Sequence, residues 1–168
     1  MNNEIERLRE SYKPEKIKIL FVGESAPAGG AFFYDGNPHI FTTNIRKTFE
    51  MALDVTLRDN KEFISYFKDK QCYLDDLSHK PINHLPPAER VAMLQKSVEP
   101  LSKRLRDMNP DVVIIVMLGI QGYVHQAVEL SGVTSRVEAA HFPASHFLPQ
   151  FREIVIPILK EYIKNPEK

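Results

Sequence analysis

The chain contains one cysteine, Cys72, in 168 residues, and that scarcity excludes three kinds of site. A lone thiol cannot close an internal disulfide, supply four thiolates to an iron–sulfur cluster, or build a cysteine-rich zinc centre. Because Cys72 opens an apolar stretch, it reads as a small buried hydrophobe. Net charge is also missing: 22 basic and 22 acidic side chains sum to zero, which argues against strong nonspecific attachment to nucleic acid, although a local basic rim is compatible with it. No apolar run reaches the roughly 20 residues that a membrane-spanning helix needs. The polar, acidic start from Met1 to Glu6 does not read as a signal peptide. The expectation is therefore a cytoplasmic protein with no membrane partner. Repeats, low-complexity tracts and linkers are absent. So are the dinucleotide fingerprint and the P-loop lysine, and Ser25 does not sit in a Gly-x-Ser-x-Gly elbow.

What is present is ordinary globular composition, 43% apolar and 26% charged, in a length that suits one domain spanning 1–168. Four β-prone runs stand out: Ile17 to Val22, Cys72 to Leu77, Asp111 to Leu118 and the weaker Ser135 to Ala140. Continuous apolar runs of this kind suit strands covered on both faces. Helical spacing links Val91, Leu94, Val98, Leu101, Leu105 and Met108 within Glu89 to Met108, where Pro100 is expected to kink or split the helix. A second stripe runs from Phe151 to Ile163 around Pro157, and shorter helices are expected at Thr42 to Leu53, Lys61 to Lys68 and Gln121 to Leu130. Strands separated by helices predict an α/β fold, a three-layer α/β/α domain with a four-stranded, mainly parallel sheet. Ligands bind such sheets at the carboxyl ends of their strands.

Those four exits concentrate the polar and aromatic residues. The first delivers Gly23, Glu24, Ser25 and Pro27, then the aromatic run Phe32, Phe33, Tyr34. The second delivers Asp75, Asp76, Ser78, His79 and, further on, Asn83. The third gives Gly119, and the fourth His141, Phe142, Pro143, Ser145 and His146. Convergence of titratable and aromatic groups is what an active site requires. Plainer roles stand beside this one: Glu24 as a capping or solvated carboxylate, the three rings as loop packing, His141 as a loop histidine, Asp75 and Asp76 as turn residues. His39, His84 and His125 read as surface or packing residues. A metal held by Asp76, His79, His141 and His146 lacks a closely spaced histidine pair, and no metal or other cofactor is expected.

The run Gly23-Glu24-Ser25-Ala26-Pro27-Ala28-Gly29-Gly30-Ala31-Phe32 resembles the first motif of the uracil-DNA glycosylase superfamily, a Gly-Glu-Ala-Pro-Gly type loop followed by an aromatic. The segment His141-Phe142-Pro143-Ala144-Ser145 resembles its closing His-Pro-Ser motif. Ser25 and Ala28 interrupt the first motif and Phe142 the second, so the likeness is to a divergent branch without the cluster cysteines.

The resemblance implies hydrolysis of the bond between a base and deoxyribose in uracil-containing or damaged DNA. Glu24 would stabilise positive charge on the sugar, and His141, or less directly His146, would donate to the departing base. Phe32, with Phe33 as the alternative register, would stack on a flipped base whose edge Asn83 reads. Gly23, Ser25, Pro27, Asp76, Ser145 and His146 would line the pocket. Lys80, Arg46, Lys47 and Arg152 are candidates for phosphate contacts. A binding module of the same fold without catalysis, and an unrelated nucleotide binder, are the competing expectations.

Overall fold

Four short strands form one all-parallel sheet in the order β2-β1-β3-β4, seen in a computed structural model that describes residues 2–166. They are β1 (Ile19–Gly23), β2 (Cys72–Asp76), β3 (Val112–Ile115) and β4 (Arg136–Ala139). Every residue of β1, β2 and β3 is buried, as the apolar runs of β1 and β3 require and with Asp75 and Asp76 buried at the end of β2, whereas β4 is half-exposed.

The helices are α1 (Asn2–Ser11), α2 (Ile40–Leu53), α3 (Asn60–Asp69), α4 (Pro87–Met108), α5 (Gln121–Ser131) and α6 (Leu148–Leu159), the last running into a π-turn at Lys160–Lys164. Helix α2 packs with α3 and α6, and α4 packs with α5. Right-handed crossovers from β1 out to β2, then back past β1 to β3 and on to β4, place these two groups on opposite faces of the sheet.

Helix α4 runs unbroken through Pro100, because its buried stripe of Leu94, Val98, Leu101 and Leu105 is held along its length by tertiary packing. Helix α1 was not anticipated from sequence. Its signal is the spacing of Ile5, Leu8 and Tyr12, all packed on the core, with Glu4 in its first turn and Arg9 in its last.

The chain leaves β1 toward β2 on one side, while β3 on its other side leads on to β4. A crevice opens at the carboxyl end of such a reversal. That crevice holds the site.

Candidate functional site

A cavity of about 340 Å³ lies at the carboxyl ends of β1, β2 and β3. Its floor begins where β1 and β2 run side by side with Gly23 opposite Asp76. A Cβ on Gly23 would stand 2.6 Å from Asp76 Oδ1, so only glycine lets the buried carboxyl lie against β1. Backbone bonds from Leu77 N to Gly23 O (2.8 Å) and from Ser78 N to Glu24 O (2.9 Å) carry the ladder past both strand ends.

The two aspartates at the end of β2 are shared among two arginines and a histidine. Arg9, fully buried, reaches Asp76 at 2.8 Å and Asp75 at 3.3 Å; Arg104 reaches Asp75 at 2.7 Å and His79 does so at 2.6 Å. Burial pushes both carboxyls up. At Asp75 the bond from His79 and the charges of Arg104 and Arg9 outweigh it and hold the group below the ordinary carboxylate range. For Asp76, whose one ion-pair partner among the described residues is Arg9, burial prevails with help from the Asp75 charge, and its pKa is pushed up to about 6. The two values describe one coupled pair: Asp75 carries the negative charge first.

Glu24, only 10% exposed at its side chain, accepts a charged hydrogen bond from Arg90 in the first turns of α4. Beyond it the Gly23-to-Gly30 loop is tied to the β2 exit: Ile82 N donates to Ser25 Oγ (3.4 Å) and Ala28 N to Asn83 Oδ1 (3.0 Å). The Asn83 amide nitrogen keeps its hydrogens free of partners among the described residues.

Phe32, Phe33 and Tyr34 are all buried. The Tyr34 hydroxyl accepts from Leu74 N (2.7 Å) and donates to Leu74 O (3.0 Å), satisfying the outward backbone groups of edge strand β2 and fixing the aromatic run in place. Phe33 meets Phe41, Phe63 and Phe67 edge-on, and Arg9 lies 5.4 Å from the centre of the Phe32 ring. Both Phe32 and Phe33 nonetheless present surface to the cavity, so packing and lining are combined.

Of the residues expected to line the site, Gly23, Glu24, Ser25, Pro27, Phe32, Phe33, Asp76 and Asn83 do so. His141, Ser145 and His146 do not. In extended backbone consecutive side chains point to opposite sides, and after β4 it is Phe142 that enters the cavity wall and stacks on Phe41 at 5.2 Å. His141 turns the other way and stacks on Phe147 at 4.9 Å, while Ser145 and His146 are exposed. A bond from Asn44 Nδ2 to Pro143 O (2.7 Å) fastens this loop to α2.

The imidazole that does line the cavity is His39, read from sequence as an ordinary surface or packing residue. With it come Phe41 and Thr42 from the first turn of α2, Arg90, and Val116 and Met117 at the β3 exit. The signal for His39 is its place just ahead of a helix, four residues after Asp35 and beyond the aromatic run already singled out. Arg46 and Arg152 are bound inside the fold, to Leu57 O (3.1 Å) and Thr48 Oγ1 (3.3 Å); Lys47 and Lys80 are exposed. Among the described residues no three His, Cys, Asp or Glu side chains converge as a metal site would require.

Aromatic walls, one free amide and acidic groups at one end suit a planar, hydrogen-bonding ring with a cationic or polar neighbour. Set against models of protein families and against curated proteins, the sequence matches none, so the arrangement of these side chains carries the functional argument.

Proposed function

We propose that the cavity receives a nucleobase and that the protein is a DNA glycosylase, hydrolysing the N-glycosidic bond of uracil or a related damaged base. The supporting observation is that Glu24, Phe32 and Asn83, from two different strand exits, line one cavity. In this proposal Phe32 offers a ring face to the base and the free Asn83 amide reads its edge. Glu24, paired with Arg90, stabilises the positive charge that grows on the sugar as the base departs. A cytoplasmic location belongs to the same proposal.

One observation favours a second reading, a binding module without catalysis: the Glu24 carboxylate is occupied by Arg90 and His141 faces away from the cavity. The two are separated by incubating the protein with single- and double-stranded uracil-containing oligonucleotides and cleaving abasic sites with alkali. Product formed by the wild type, and reduced on the order of 10²-fold or more in Glu24→Gln, is the expected result for the enzyme. Retained binding of uracil or oligonucleotide with no product identifies the module.

A further inference from the structure

We infer that His39, oriented by Asp35, is the proton-accepting group of the cavity. The assignment rests on the hydrolase proposal above. It begins with a segment shaped to hold one carboxylate still. A short helical turn at Phe33–Asp35 is followed by Gly36, whose φ of 74° is a glycine conformation, and helix resumes at Ile40. Inside that reversal Asp35 Oδ1 accepts from Asn37 N (2.7 Å), and Oδ2 accepts from His39 Nε2 (2.8 Å) and Phe32 N (3.4 Å). Burial raises the Asp35 carboxyl, but the bonds from His39 and Asn37 outweigh it and hold the group below the ordinary carboxylate range. An ionised carboxylate only accepts, so the bond places a ring proton on Nε2, and in the neutral ring the lone pair is then on Nδ1.

Two observations distinguish this pair from a fastener of the turn. The other acidic groups on the wall are committed: Glu24 to Arg90, and Asp76 to Arg9 through one oxygen while the other packs against Gly23. His39, a third exposed, is the uncommitted base. Thr42, one turn further along α2, also lines the cavity, and its hydroxyl is buried without a partner among the described residues, so a small side-chain rotation would bring an unspent polar group to the cavity.

In the assigned step the water oxygen bonds to the sugar C1′ and the C1′–N bond breaks, its electron pair leaving on the base nitrogen. Nδ1 takes the water proton and then returns it to the departed base. The products are the free base and a sugar bearing a 1′-hydroxyl, with no change of oxidation state. Asp35 is the positioning residue.

The test compares full-length wild type, His39→Gln and Asp35→Asn on uracil-containing single-stranded DNA. In His39→Gln, kcat is expected to fall on the order of 10²-fold or more, with KM within about threefold. Asp35→Asn is expected to lower kcat as well and to remove the Nε2–H tautomer from the nitrogen NMR spectrum of the His39 ring. Undiminished kcat in a folded His39→Gln overturns the role and leaves the cavity proposal standing. A wild-type ring protonated on Nδ1 alone also overturns it, and that measurement depends neither on turnover nor on a variant folding. A wild type inert on all uracil substrates overturns the hydrolase proposal and the assignment with it; an intact Nε2–H tautomer in that case marks the pair as a structural clasp.

Discussion

At the residue scale the site depends on close approach more than on any single strong bond. Replacing Gly23 by alanine puts a methyl group 2.6 Å from Asp76 Oδ1, and that buried carboxyl must shift away from its place beside Arg9. Overpacking of this kind costs about 1–3 kcal/mol, so Gly23→Ala is expected to melt earlier than wild type in thermal denaturation and to bind uracil more weakly. Asp76 also leaves a mark on the pH dependence of stability. Its folded carboxyl holds a proton up to about 6, against 3.8 in a solvated aspartate. The native state therefore binds more protons than the unfolded state across that window, and the Asp76 contribution falls as pH rises through it. Asp75, shifted the other way, contributes stability above its unfolded pKa that is lost only on further acidification. Urea unfolding at a series of pH values is expected to show a flatter limb in Asp76→Asn over that window; identical slopes in the two proteins would count against the assignment. His141→Ala, by contrast, is expected to leave product formation within about twofold of wild type, since surface side chains away from a site have small effects.

Among the elements, α1 and the aromatic run matter for reasons that hydrophobic patterning does not disclose. Arg9 is the buried ion-pair partner of Asp76, and removing one member of a buried charge pair costs about 3–5 kcal/mol. Arg9→Met should lose stability of that order in chemical denaturation. Strands β1, β2 and β3 were legible in the sequence because burial on both faces demands unbroken apolar runs. The exits of β1 and β2 were legible too, since Gly23-Glu24 and Asp75-Asp76 break those runs with small or charged residues. Helix α1 was not, because its apolar face is short and lies in a strongly charged segment. Nor was the facing of the fourth exit: Phe142 and not His141 enters the cavity wall, a difference of one residue in an extended segment that periodicity over so short a stretch cannot resolve.

For the molecule as a whole, the sheet is unequal. Central strands β1 and β3 are buried and paired on both sides, whereas β4 pairs only with β3 and is half-exposed. Amide hydrogen exchange is expected to be slowest in β1 and β3 and fastest, among the strands, in β4. The site shares that gradient. Its floor, from Glu24 and Asp76 to Arg90, comes from the first part of the chain and from the fully buried strands β1 and β2. The Phe142 segment comes from the yielding side, fastened to α2 by Asn44 and by the Phe41 ring. A substitution at Phe142 would thus reshape one side of the cavity while leaving Glu24, Asp76 and Arg90 in place beneath it.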